Sequence, residues 1–181
     1  MKHGESSYRR YLQGDEDAFA EIVKEYFEHM VFFINRYVED YAAAEDITMD
    51  VFAWLIVHKT RYNFSVSLKT YLFVLCRSRA LDYIKRRKKL QTVQLREAEQ
   101  FADPKPTPEE QFLRDARKQA VHDAINGLCA EMRLVVHLTY FEALSADEVA
   151  KVLKKNRKQV YNLLYRAKKV LRTVLEEEEL L

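Results

Sequence analysis

The sequence predicts an all-α protein built as two small helical domains joined by a linker. Only three Gly and three Pro occur in 181 residues, too few for the many turns of a strand-rich fold. Apolar residues recur at i, i+3 and i+4 over long stretches, while alternating β-branched runs are rare. All three prolines fall in DPKPTP, at positions 104, 106 and 108. They close a polar stretch, QTVQLREAEQFADPKPTP, that lacks a comparable amphipathic pattern and reads as a linker, semi-rigid at its proline end. The expected division is a first domain over 1–90, a linker over 91–107 and a second domain over 108–181.

The first domain opens with a helix from about Asp17 to Tyr37, where Phe19, Ile22, Val23, Tyr26, Phe27, Met30, Val31, Ile34 and Tyr37 share a face. In the next, AAAEDITMDVFAWLIVHK, one side carries Ile47, Val51, Trp54, Leu55 and His58. Asp46, Met49, Asp50 and Ala53 fall mostly on the other. The third, SLKTYLFVLCRSRALDYIKRRKK, is apolar early (Leu68, Tyr71, Leu72, Leu75) and ends in a cationic run. Basic residues in a last turn suit the helix dipole, which accounts for two or three of these charges at most.

In the second domain Thr107, Pro108 and Glu110 form a capping box. Phe112, Ala116, Val121, Ala124, Ile125 and Leu128 follow, with Gly127 as the helix end, and another helix is expected from Met132 to Tyr140. Ser145 with Glu148 makes a second capping box, and Asn156 with Gln159 a weaker third. Short helices separated by sharp turns are the consequence.

The last two of these abut in SADEVAKVLKKNRKQVYNLLYRAKK with the spacing of a helix-turn-helix. Ala150 supplies the small residue at the crossing, Val149 and Leu153 the apolar face of the first helix, Val160 and Leu163 that of the second. Arg157, Lys158, Gln159, Tyr161 and Asn162 crowd the first two turns of the second helix. Asn and Gln suit adenine edges there, and Arg or Lys suit guanine. Arg166, Lys168, Lys169 and Arg172 are placed for phosphates. Two positions depart from the motif. Lys154 stands where the turn usually has Gly, at a cost of about 1 kcal/mol for a left-handed backbone. Lys155 stands where an apolar residue usually tucks under the helices.

Charge is distributed unevenly behind a net +2. Residues 15–50 hold eleven Asp/Glu against Lys24 and Arg36, whereas residues 77–89 hold seven basic residues against Asp82. Residues 150–172 hold nine basic residues and no acid. One cationic stretch per domain fits two contacts with a polyanion, and the bland alternative is a pair of solvated helix faces. Five His in no paired-ligand spacing, no HExxH and no phosphate-cradling Gly loop exclude the familiar hydrolase and metal patterns, so no catalytic residue, metal or cofactor is expected. Cys76 and Cys129 lie far apart and read as reduced thiols. No apolar run is long enough to span a membrane, and MKHGESSYRRYLQGDEDAF is not a secretory leader, so a cytoplasmic protein is expected.

AAAEDITMDVFAWLI followed by LKTYLFVLCRSRALDYIKRRKK resembles region two of bacterial sigma factors, and YFEALSADEVAKVL with VYNLLYRAKKVL resembles region four. A chain with only those two regions is similar to the extracytoplasmic-function (ECF) group. The resemblance implies a transcription initiation factor that binds core RNA polymerase and recognises the minus-ten and minus-thirty-five promoter elements. It implies core contact with the β′ clamp helices through Asp46, Asp50 and Phe52, with Met49 where Gln is common, and a further contact with the β flap. It implies minus-ten binding through the Tyr62–Ser67 loop, with Tyr62 and Asn63, and through Tyr71, Arg77, Lys85, Arg86 and Arg87. Minus-thirty-five binding falls to Arg157, Lys158, Gln159, Tyr161, Asn162 and Arg166, although Tyr161 and Leu163 replace two residues that are commonly basic. An anti-sigma partner is also implied. The competing reading is a dimeric helix-turn-helix regulator that acts without being a polymerase subunit.

Overall fold

The computed structural model describes residues 3–94 and 116–177, and these are helical with no strand among them. They fall into two compact units, Met1–Glu99 and Gln100–Ala150 with Lys155–Leu181. Lys151–Leu153 end a helix that begins in the second unit and are described with it. The capping box at Thr107 and most of the expected linker lie outside the described residues.

The first unit contains α1 (His3–Leu12), α2 (Asp17–Val38), α3 (Tyr41–Val57), a single 3-10 turn (Lys59–Arg61) and α4 (Leu68–Gln94). Helix α2 is the hub, packing against α1, α3 and α4. Its predicted stripe is buried at Ile22, Tyr26, Met30, Val31 and Ile34, joined by Phe33 and Val38. Phe33 sets its ring against Phe73 of α4 at 4.8 Å and Tyr37 at 5.4 Å, the tilted and edge-on geometries that aromatic quadrupoles favour. Asp40 caps α3 by accepting from the Ala43 N–H at 3.1 Å. Helix α4 continues four residues past the expected domain end.

Helix α1 is absent from the sequence-based expectation, yet it is tied to the rest of the unit at several points. Tyr8 is fully buried and donates its hydroxyl to the Lys59 carbonyl at 2.8 Å. The Glu5 carboxylate accepts the Leu68 N–H at 3.0 Å, placing a negative charge on the first turn of α4, where the helix dipole welcomes it. Gly4 packs on the Tyr26 ring so closely that an added Cβ would sit 2.9 Å from Cε2, so a larger residue would have to displace that side chain. After α1 the chain reverses through Gly14 at φ +102°, a conformation that L side chains rarely adopt.

Burial raises several tyrosine hydroxyls. Tyr62 is pushed up to about 12, by burial first and then by the Glu5 charge, with Arg9 pulling the other way. Tyr37 is also pushed up to about 12 by burial, against the opposing charge of Arg77. Tyr8 and Tyr26 move in the same direction, chiefly through burial. In the unfolded chain all four would ionise near about 10. The folded state therefore holds these protons longer, and the associated stability is intact below pH about 10 and lost progressively as pH rises towards about 12. Circular dichroism in an alkaline series should show the first unit melting across that window, together with tyrosinate absorption. Tyrosines that ionise near pH 10 while the helices stay folded would contradict it.

The second unit contains α5 (Ala116–Asn126), α6 (Ala130–Val136) continued by a π turn (His137–Phe141), α7 (Ala146–Leu153) and α8 (Arg157–Glu177). Helix α8 packs against α5 and α6. Gly127 follows α5 as expected, and its N–H bonds the Asp123 carbonyl at 2.9 Å. Val121 is 39% exposed, whereas Ala124, Ile125 and Leu128 are buried. The helix expected from Met132 begins two residues earlier and ends in the wider π turn. There the Glu142 N–H reaches back to the His137 carbonyl, and the two buried side chains face each other at 3.3 Å.

Candidate nucleic-acid interfaces

In the first unit, the loop between α3 and α4 is built from aromatic and polar residues with most of their bonding already settled. Tyr62 is 2% exposed; its hydroxyl donates to the Val66 carbonyl at 2.8 Å and its ring meets Tyr8, Phe64 and Tyr71 at 5.1, 4.6 and 5.0 Å. Asn63 is exposed, and its side-chain oxygen accepts the Ser65 N–H at 3.1 Å, a local turn of the kind Asn favours. Phe64 sits at φ +60°, a left-handed backbone that is costly for a bulky residue. Ser67 caps α4, its hydroxyl accepting the Thr70 N–H at 3.2 Å. Asn63 and part of Phe64 thus face solvent, with Tyr62 beneath them as their support.

Helix α4 then changes character along its length. Leu68, Leu72, Phe73, Cys76 and Ala80 are buried, whereas no residue from Leu81 to Lys89 is. Lys85, Arg86, Lys88 and Lys89 are exposed and Arg87 is half-buried, so the basic run lies on helix that is not committed to the core. Arg77 is half-buried beside the Tyr37 hydroxyl, and Tyr71 is half-buried with its hydroxyl raised by burial and countered by Arg61.

The outer face of α3 combines acid with unpartnered apolar surface. Asp46 and Asp50 are exposed, Met49 is 56% exposed, and Ile56 and Val57 add 49% and 76%. Phe52 does not belong to this face: it is 3% exposed, with its ring edge-on to Phe19 at 6.1 Å. The expected set of four therefore divides into three surface residues and one that packs beneath them.

The helix-turn-helix of the second unit forms as its spacing requires. Val149, Ala150, Leu153, Val160 and Leu163 are buried, joined by Ala167. Both capping boxes close: Ser145 with Glu148, and Asn156 with Gln159, where the Gln159 N–H and the Asn156 N–H each meet the other's side-chain oxygen at 2.8 Å. Lys154 takes the left-handed turn at φ +52°, and Lys155 replaces apolar tucking with an ion pair to Glu131 at 2.6 Å. Lys154→Gly should stabilise this unit by about 0.5–1 kcal/mol, because the same turn then carries no Cβ penalty. A urea midpoint that is unchanged or lower for the variant would show that the turn is unstrained.

On α8, Lys158, Asn162 and Arg166 form one exposed row at i, i+4 spacing, and Arg157, Tyr161 and Tyr165 the row beside it. Tyr161 accepts a bond from the Arg157 guanidinium at 3.2 Å, and Asp147 lies 3.6 Å from it, so the Arg157 fork is held in place. Gln159 is different: its amide oxygen is spent on the helix cap, so the bidentate adenine contact would require the cap to open. Tyr165, 71% exposed, extends the second row and was missed in the sequence, although its spacing from Tyr161 marks it. Among the described residues no group of His, Cys, Asp or Glu is arranged to hold a metal, and no helix is long and apolar enough to cross a membrane.

Comparison with known proteins supplies the frame for both faces. Residues 22–90 match the family described as sigma-70 region 2 and residues 118–171 match sigma-70, region 4, so together the two matches cover more than half of the chain. The chain is 25% identical over 170 residues to the ECF RNA polymerase sigma factor BldN of Streptomyces coelicolor, covering 93% of this chain and 64% of BldN. It is 25% identical to the RNA polymerase sigma-H factor of Pseudomonas aeruginosa, covering 92% of this chain and 91% of that factor. It is 24% identical to the ECF RNA polymerase sigma factor SigX of Bacillus subtilis, covering 92% and 89%. The fold is that of the sigma factor RpoE from Bartonella quintana, solved with the anti-sigma factor NepR, at a TM-score of 0.67, 18% identity and coverage of 87% and 96%. It is also that of CnrH, solved with the cytosolic domain of CnrY, at 0.65, 17% identity and coverage of 97% and 99%. Two regions of one family, matched in their family order on two separately packed units, identify the chain as a sigma factor of the sigma-70 family, ECF group.

Proposed function

We propose that the chain binds core RNA polymerase through the outer face of α3, holds the opened minus-ten strand with the Tyr62–Ser67 loop and α4, and reads the minus-thirty-five element with α8. The polymerase supplies the chemistry, and the chain adds no catalytic group. The observation that carries this reading is the pairing of a helix that carries no acid from Arg157 to Leu175, its first turn pinned by a reciprocal cap, with a second basic helix in a separate unit. Arg157, Lys158, Tyr161, Asn162 and Arg166 carry the upstream contacts, with Gln159 acting first as the cap. Lys85, Arg86 and Arg87 follow the phosphate backbone downstream. An anti-sigma factor is the natural regulatory partner, as one is of the related RpoE. The site of action is the cytoplasm, where the polymerase works.

The deciding experiment mixes the purified chain with core polymerase and maps the transcript starts. One upstream consensus shared by those starts is the expected result. A chain that binds an inverted repeat unaided and never assembles with core would instead be a dimeric regulator. Within the complex, Asn162→Ala should relax preference at one upstream base pair by about 1–3 kcal/mol. Gln159→Ala should cost mainly helix stability, about 1 kcal/mol, with preference unchanged. Transcription from a promoter library separates the two, and a preference shift with Gln159→Ala alone would reverse their roles.

A further inference from the structure

Arg9 and Arg10 are neighbours at the end of α1 with opposite surroundings. Arg10 is neutralised twice, by Asp15 at 3.2 Å and by Glu21. Arg9 is exposed, and among the described residues no carboxylate holds it; its guanidinium lies over the Phe64 ring, 4.2 Å from the centroid. A guanidinium held over a ring by cation–π attraction leaves N–H donors for a phosphate, which a guanidinium can grip with two parallel bonds. The platform is firm, because Phe64 also contacts Tyr62 and Tyr8, and Tyr8 anchors α1 through the Lys59 carbonyl. Lys59 and Arg61 in the 3-10 turn add two exposed cations to the same loop, while Glu5 spends its carboxylate on the Leu68 N–H. The surface beside Asn63 is thus cationic, and Arg9 reaches it from a helix that Tyr8 anchors.

We propose that Arg9 binds a phosphate of the DNA single strand that enters the Tyr62–Ser67 loop, with Phe64 fixing the plane of its guanidinium. This rests on the reading of that loop as the minus-ten site, and it extends the site to a residue that precedes the region-two match, which begins at residue 22. The role assigned to Phe64 explains why a bulky ring is kept at φ +60°: its place under Arg9 is what the strained backbone delivers.

The test uses the chain assembled with core polymerase and a labelled single-stranded oligonucleotide carrying the minus-ten segment of a promoter found by transcript mapping. Affinity is measured over a salt series for the parent, Arg9→Gln, Arg9→Lys and Phe64→Leu. Arg9→Gln should weaken binding about tenfold and lower the slope of log K against log salt by about 0.7, the value for one lost single-strand phosphate contact. Arg9→Lys should keep the slope, and Phe64→Leu should keep the slope while weakening binding, since charge survives but orientation does not. A slope for Arg9→Gln equal to the parent overturns the proposal even if affinity falls, because a merely structural residue changes affinity without releasing fewer counterions. Urea midpoints close to the parent establish that the variants fold, and Arg9→Lys reports on the charge whatever the fate of Arg9→Gln. If the parent assembly binds no promoter strand at all, the minus-ten reading itself falls; if the parent binds and the slopes agree, only Arg9 is excluded.

Discussion

Tyr8→Ala is expected to destabilise the first unit by about 3–5 kcal/mol, the range for emptying a fully buried aromatic site. The ring touches Tyr11, Tyr62 and Phe64, so its loss opens a cavity between α1 and the α3–α4 loop. Small units have only about 5–15 kcal/mol in total, and a substantial unfolded fraction should follow. Tyr8→Phe provides the graded control. It keeps the ring and loses only the bond to the Lys59 carbonyl, and Lys59 lies at the surface where water can replace the donor, so about 1 kcal/mol is expected. Urea denaturation of both variants measures the ladder. Equal, small losses would mean that α1 is a loosely held appendage rather than part of the core.

The double reversal Asp46→Lys with Asp50→Lys should weaken binding to core polymerase about a hundredfold, some 3 kcal/mol, while leaving the fold nearly as stable as before. Both carboxylates are exposed on α3, and surface charges away from structural partners seldom change stability by more than about 0.5 kcal/mol. Phe52→Ala is the informative contrast. Because Phe52 is buried against Phe19, it should lose binding only through loss of fold, with about 3–5 kcal/mol of destabilisation. Fluorescence anisotropy with labelled chain and core polymerase, paired with urea midpoints, resolves the two mechanisms. Unaltered core affinity in the double reversal would move the polymerase contact off this face.

Much of the fold is legible in the sequence because long amphipathic periods dominate it. The Asp17–Tyr37 stripe ends within one residue of the observed helix, and the capping boxes at Ser145 and Asn156 close as written. The left-handed turn at Lys154 also follows from the motif despite the missing glycine. Helix α1 escaped notice although Tyr8, Tyr11 and Leu12 have i, i+3, i+4 spacing and Gly14 follows, since three apolar positions in a short polar segment are a weak periodic signal. Its importance comes from long-range partners, Lys59 and Leu68, that no local pattern announces. The site divides in the same manner. Exposure of Asp46, Met49 and Asp50 follows from helix phase, whereas the diversion of Gln159 to capping and the pairing of Arg9 with Phe64 depend on side-chain geometry.

The bonds from α1 span 51 residues from Tyr8 to Lys59 and 63 from Glu5 to Leu68. Synthesis from the N-terminus therefore makes α1 well before the residues that anchor it. During synthesis the Tyr8 ring has no pocket until the loop and the start of α4 have left the ribosome, so the segment waits exposed while later helices are added. Such distant closures raise contact order and slow the final assembly step. The rate at which the first unit becomes competent after synthesis should thus respond to changes in α1.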